Sequence, residues 1–126
     1  MNDQDRAVIE KTAFLQLIPP QQRERVLERF TQRTCRFGEL ITAEGDPADA
    51  FFILISGRAR VFKRGEGDEE LPLNTLQSGA EFGEIGLLEG GRRMASVRCS
   101  TDVTLARLDR EDFRALLQEL PALQEA

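Results

Sequence analysis

The chain has 126 residues, a formal net charge of −5, and 40 % hydrophobic against 31 % charged residues, which suits one folded domain and excludes a disordered chain or two ordinary domains. A pI of about 4.9 excludes the basic stripe that a nucleic-acid backbone requires, so no direct nucleic-acid partner is expected. No apolar run reaches the roughly 20 residues that cross a bilayer, and the acidic start Met1–Asp5 lacks a basic-then-apolar leader, so a soluble, cytoplasmic chain with no direct membrane insertion is expected.

From Arg6 onward, Val8, Ile9, Ala13, Phe14, Leu17 and Ile18 recur at three- and four-residue spacing, which predicts one short helix stopped by Pro19 and Pro20. Pro20 suits the first position of a second helix, Gln21–Gln32, with Val26, Leu27 and Phe30 as its apolar seam. After Thr34, turn signals at Gly38, Gly45-Asp46-Pro47, Gly57, Gly65, Gly67-Asp68 and Gly79 come at close intervals and predict short strands. Phe51–Ile55 is aromatic and β-branched. Arg58–Lys63 alternates, with Ala59 and Val61 on one face and Arg58, Arg60 and Phe62 on the other. Leu71–Leu76, Ala95–Cys99 and Val103–Leu108 supply three more strands. Asp109 is expected to cap a last helix, with Asp112 three residues on and Phe113, Leu116 and Leu117 as its seam up to Pro121. The fold class is therefore α+β, mainly β: one domain over 1–126, with helices in 6–32, a small barrel or double-sheet roll over 35–108, and a helix at 110–120.

Cys35 and Cys99 lie far apart without a CxxC spacing, and there is no histidine. Zinc ligation and His-based nucleophilic catalysis are not expected, and both cysteines read as small buried residues of strands. The informative stretch is 81–97, EFGEIGLLEGGRRMASV, which interrupts the strands. Ile85-Gly86-Leu87-Leu88 after Gly83 reads as one helical turn whose free N–H groups suit an anion. Gly90-Gly91 permits a turn, and Arg92-Arg93 returns positive charge towards it, an arginine being able to grip two phosphate oxygens. Glu84, nine residues before Arg93, is a carboxylate that accepts from a ribose hydroxyl or orients an arginine. The small residues after Met94 let a ligand approach backbone amides. Together these groups suit a sugar phosphate. Taken singly, Arg93 also reads as a surface arginine, Glu84 as a helix-dipole carboxylate and Gly90-Gly91 as a plain turn; Arg92 is expected to face solvent.

This segment resembles the phosphate-binding cassette of the cyclic-nucleotide-binding domain family, the family of catabolite activator protein and protein kinase A regulatory subunits. Gly45-Asp46 followed by Phe51–Val61 also resembles that family's turn and central hairpin, so the likeness runs from about Phe14 to Leu117. The resemblance implies an eight-stranded β-roll, a double-stranded β-helix of cupin-like form, between N- and C-terminal helices. It implies that Glu84 binds the ribose 2′-hydroxyl, that Arg93 binds the cyclic phosphate, and that Gly83, Ile85, Met94 and Ala95 supply backbone around it. Val61 and Leu73 would pack near ribose and base, although such residues are as often plain core. Arg92 stands where many members have proline. Met94 stands where some members use a hydroxyl to hold cyclic GMP, which points to cyclic AMP as ligand ahead of cyclic GMP, with no further cofactor.

Three functions follow: a cyclic-nucleotide-sensing module with no enzyme activity, a roll that has lost its ligand and serves interaction or dimerisation, or a roll enzyme. The last is disfavoured by the absence of metal-holding histidines. A sensor implies an effector domain or protein outside this chain and admits a homodimer. The family's long capping helix is expected to lie outside this sequence, since only Ala122–Ala126 follow Pro121.

Overall fold

The computed structural model of the chain describes residues 1–83 and 91–120. Its N-terminal part is α1 (Asp3–Glu10), α2 (Ala13–Gln16), a 3₁₀ turn (Pro20–Gln22) and α3 (Arg23–Arg29). Eight strands follow among the described residues: β1 (Thr31–Cys35), β2 (Leu40–Thr42), β3 (Ala50–Ser56), β4 (Ala59–Arg64), β5 (Glu70–Leu76), β6 (Glu81–Phe82), β7 (Ser96–Cys99) and β8 (Val103–Asp109). The described part ends on α4 (Arg110–Glu119). The strands form two antiparallel four-stranded sheets, β1-β8-β3-β6 and β2-β7-β4-β5. This is the expected mainly-β double-sheet roll flanked by helices.

The first sheet lies between the helices and the second sheet, and β3 explains why. Its residues from Ala50 to Ile55 are all buried, and alternate side chains leave by opposite faces. Phe51, Ile53 and Ile55 join the helical residues Ile9, Phe14, Leu15, Val26, Phe113 and Leu116 in one core. Ala50, Phe52 and Leu54 join Ala59, Leu76, Val97, Cys99 and Leu105 in a second core inside the roll. Phe51 sits at the centre of the first, with ring centroids 5.0 Å from Phe14, 5.6 Å from Phe113 and 6.5 Å from Phe30.

The single helix predicted from Arg6 to Ile18 is two. Thr12 takes an extended backbone, donates its hydroxyl to the Ile9 carbonyl (2.7 Å) and accepts from the Leu15 N–H, so it ends one segment and caps the next. The apolar spacing survives the break because Ile9, Phe14, Leu15 and Ile18 all enter the same core. The second helix is also shorter than Gln21–Gln32. Phe30 turns extended and Thr31 pairs with Arg107, so the end of that window is strand β1. Tertiary pairing overrides helical propensity there. Phe62, expected beside Arg60 on the polar face, is 1 % exposed. It stays on that face, in regular register with β7, and is covered by Arg64 and Arg98, whose Cζ atoms each lie 5.5 Å from its ring centroid. Towards β5, Val61 lies opposite Asn74 but Phe62 opposite Pro72, leaving Leu73 as an extra residue of β5. Asp109 occupies the cap position of α4 but its side chain makes no capping bond; its carboxylate is held by Arg107. No helix among the described residues is long and apolar enough to cross a membrane.

Candidate functional site

Arg93 is not a surface arginine. It is 8 % exposed, and the chain around it is tied to the turn before β3. The Arg93 N–H donates to the Asp46 carbonyl (2.7 Å), the Gly45 N–H to the Arg93 carbonyl (2.9 Å) and the Ala48 N–H to the Gly91 carbonyl (2.9 Å). This zipper explains why Gly45-Asp46 accompanies Arg93 in sequence, forty-odd residues away. Arg92 stays exposed, as expected, and donates to the Gly45 carbonyl.

The Arg93 guanidinium is fixed from several sides. Nη1 donates to the Gly83 carbonyl (3.0 Å) and Nη2 to the Ala50 carbonyl (2.8 Å), with the Asp49 Oδ1 at 3.4 Å. Its Cζ lies 5.7 Å from the centroid of the Phe52 ring, over its face, and Phe52 in turn stacks on Phe82. The protein's own carbonyls and the Phe52 ring hold such a group, so the entropy cost of fixing an arginine on an anion is reduced. Gly83 is needed for this approach. Its φ is +93°, and a Cβ there would lie 2.7 Å from Arg93 Nη1 and 2.9 Å from the Ala50 oxygen.

The other sequence-predicted residues divide. Met94 is 64 % exposed, directly after Arg93, and Ala95 is half-buried. Ser96 follows, buried, and accepts the Glu44 N–H at 2.8 Å. Val61 is half-buried against the roll's core and lies opposite Val97 on one side and Asn74 on the other. Leu73 is 55 % exposed on the outer strand of the second sheet, and it is Asn74, not Leu73, that shares the register position of Val61. Glu84 and Ile85 lie outside the described residues.

Three residues at or near this site escaped the sequence reading. Asp49 bridges Arg93 and Arg107, whose Nη2 lies 3.5 Å from Asp49 Oδ2. Its signal was a carboxylate just before the apolar run Ala50–Ile55. Arg107 was detectable as a charge in the Val103–Leu105–Arg107 alternation, on the face that enters the roll. Asn74 was a polar side chain in the largely apolar run Leu71–Leu76. A cavity between the sheets reaches Arg93 from the β1 and β2 side, past Arg33, Cys35, Thr42, Asp49 and Arg107. Burial raises the thiol of Cys35, and it pushes that of Cys99 up to about 11. Among the described residues no group of three or more His, Cys, Asp or Glu is placed to hold a metal ion.

The arrangement is a rigid guanidinium behind a glycine, at the mouth of an antiparallel roll. A sequence profile described as the cyclic nucleotide-binding domain matches residues 32–120. The chain belongs to this family. As a cyclic-nucleotide-binding domain it is 40 % identical to the cAMP-dependent protein kinase regulatory subunit of Emericella nidulans, over 88 % of this chain and 26 % of that protein. It is 36 % identical to the cyclic AMP receptor protein of Thermus thermophilus, over 82 % of this chain and 48 % of that one. The crystal structure of the Thermus thermophilus catabolite activator protein superposes with a TM-score of 0.78 at 34 % identity, covering 86 % of this chain and 51 % of that chain. The regulatory domain of Toxoplasma gondii PKA, solved with cAMP, has a TM-score of 0.82 at 23 % identity over 90 % of this chain and 43 % of that chain, a likeness of fold. The domain thus spans about a quarter of the kinase subunit and about half of the receptor. These relatives are regulatory subunits and a receptor protein.

Proposed function

We propose that residues 1–126 form a single sensor unit that binds cyclic AMP, performs no chemistry on it, and transmits its occupancy to an effector outside this chain. The observation that carries this reading is the buried Arg93, oriented by Gly83, Ala50 and Phe52. A cyclic phosphate carries one negative charge on two free oxygens, and a fixed guanidinium meets both at once. Glu84 takes the ribose 2′-hydroxyl, and the backbone from Gly83 to Ile85 and at Met94 and Ala95 surrounds the phosphate. Val61 and Leu73 flank the ribose and base. Met94 offers no hydroxyl to a guanine, which favours cyclic AMP over cyclic GMP. The kinase regulatory subunits and the cyclic AMP receptor protein among the relatives support this ligand class, and a cytoplasmic location accords with a diffusible ligand.

Isothermal titration with cyclic AMP tests the proposal. A charge-assisted contact contributes roughly 1.5–3 kcal/mol, so Arg93→Ala should weaken binding about tenfold to a hundredfold. Arg93→Lys should recover only part of this, because an ammonium cannot span two oxygens. Wild-type chain that binds neither cyclic AMP nor cyclic GMP would leave the roll as an interaction domain.

A further inference from the structure

We propose that Cys35 and Cys99 form a reversible disulfide that ties the two sheets of the roll together at the edge where the Arg93 cavity opens. Cys35 is the last residue of β1, on the edge of the first sheet, and Cys99 lies on β7 in the second. The chain crosses between the sheets directly against Cys99. The Gly38 N–H donates to the Cys99 carbonyl (2.9 Å) and the Cys99 N–H to the Glu39 carbonyl (2.9 Å), while the Glu39 N–H closes a turn on Arg36 (3.0 Å). This crossing holds Cys35 beside Cys99. Cys99 belongs to the core inside the roll and Cys35 packs against it, and each thiol perturbs the ionisation of the other.

Their surroundings differ in a way that sets an order of reaction. Cys35 is half-buried and lines the cavity, whereas Cys99 is 0 % exposed behind it. A small disulfide entering the cavity therefore meets Cys35 first. Burial and then Glu39 disfavour the Cys35 thiolate, and Cys99 and Arg33 offset this only in part. The Cys35 thiolate attacks one sulfur of the incoming disulfide, whose S–S bond breaks. A mixed disulfide forms, and the departing thiolate takes up the proton that Cys35 released. Cys99 then loses its proton and attacks the Cys35 sulfur, and the second small thiol leaves with that proton. Two cysteine thiols have lost two electrons and one small disulfide has become two thiols. Excess small thiol reverses both steps. Burial, followed by the charges of Cys35, Glu39 and Asp102, disfavours the Cys99 thiolate, so closure is slow at neutral pH and accelerates as the pH rises.

The experiment incubates the folded chain with excess oxidised glutathione at pH 7 and pH 9, quenches in acid and measures the intact mass. Expected is a monomer that has lost two hydrogens, formed faster at pH 9. Non-reducing trypsin digestion should link Thr34–Arg36 to Cys99–Arg107. Cys99→Ser should stop at a glutathione adduct on Cys35, and Cys35→Ser should leave Cys99 unmodified in the native chain. The oxidised chain should melt at a higher temperature than the reduced one, because a bond between the sheets constrains the unfolded chain. A stable glutathione adduct on wild-type Cys35, cross-linked dimers in place of the internal bond, or an oxidised chain that melts lower would overturn the proposal. If Cys99→Ser does not fold, the wild-type peptide map alone decides.

Discussion

Asp49 holds Arg93 in place through a carboxylate oxygen 3.4 Å from Arg93 Nη2, although the Asp49 side chain is itself 66 % exposed while that of Arg93 is 6 % exposed. Its other oxygen reaches Arg107 at 3.5 Å. One acidic group at the mouth of the roll thus orients the proposed phosphate-binding cation and partly balances two arginines.

Asp49→Asn keeps the shape and removes the charge. Solvent screens so exposed a carboxylate, so the loss of orientation at Arg93 should be modest, about 0.5–1 kcal/mol or twofold to fivefold in cyclic AMP affinity. The thermal midpoint should hardly change, because Arg107 keeps its Asp109 partner. Unchanged affinity in a titration would mean that the Gly83 and Ala50 carbonyls suffice to hold Arg93.

Gly83→Ala should act on both stability and binding. The φ of +93° and contacts of 2.7 Å to Arg93 Nη1 and 2.9 Å to the Ala50 oxygen leave the new methyl no place unless Arg93 moves. Strain of this kind costs on the order of 1–3 kcal/mol, read by urea denaturation. Affinity should fall by at least as much as in Asp49→Asn, and a variant with wild-type affinity would show that the guanidinium need not sit where the Gly83 and Ala50 carbonyls hold it.

Much of this was legible in the sequence, for identifiable reasons. The strand Phe51–Ile55 announced itself because both of its faces are buried, and Arg93 because a charge follows two glycines and a possible anion-binding turn. What could not be read were features decided by pairing between distant segments. Thr31 and Gln32 look helical until β8 lies alongside them, and Phe62 looks exposed until Arg64 and Arg98 lie over its ring. The cradle of Arg93 is built largely from the Gly83 and Ala50 carbonyls, which leave no mark in a side-chain pattern. Asp109 misled because cap preference and ion pairing compete for one carboxylate, and Arg107 won it.

Phe51→Ala should be the most damaging core change of the first sheet. The ring is 2 % exposed and packs on Phe14, Phe30 and Phe113. Its removal leaves a cavity between sheet and helices, at a cost of about 3–5 kcal/mol. That is a large share of the stability of a domain this size, so the variant should be partly unfolded at 37 °C by circular dichroism. A loss below about 1 kcal/mol would mean that the helices collapse onto the sheet and refill the space.

Alkaline pH should weaken the roll through Cys99. Burial raises this thiol from 9.0 to about 11, so between those values the unfolded chain has released a proton that the folded chain keeps. Stability from this group is fully present below pH 9 and falls as the pH rises towards 11, by at most about 3 kcal/mol. Under reducing conditions Cys99→Ala should show a flatter decline of urea stability over that range than the wild type. Parallel pH profiles would locate the alkaline sensitivity elsewhere.

The last expectation concerns the route from Arg93 to α4. The short segment Ala48–Ala50 is gripped from two directions. Arg93 holds the Ala50 carbonyl and the Asp49 carboxylate. From the other side the Arg110 N–H, at the start of α4, donates to the Asp49 carbonyl (2.9 Å), and Arg110 Nη1 reaches the Ala48 carbonyl at 3.4 Å. A phosphate that recruits Arg93 competes with Asp49 for its charge, so the segment and the first turn of α4 feel the ligand without touching it. A ligand shifts such an element only by its differential affinity for the element's two arrangements. Hydrogen exchange with and without saturating cyclic AMP should therefore change at Arg110–Phe113 and at Ala48–Ala50. The change should shrink in Asp49→Asn at equal saturation. Identical exchange of these amides in both states would mean that α4 is a passive wall of the roll, and that any signal leaves by another path.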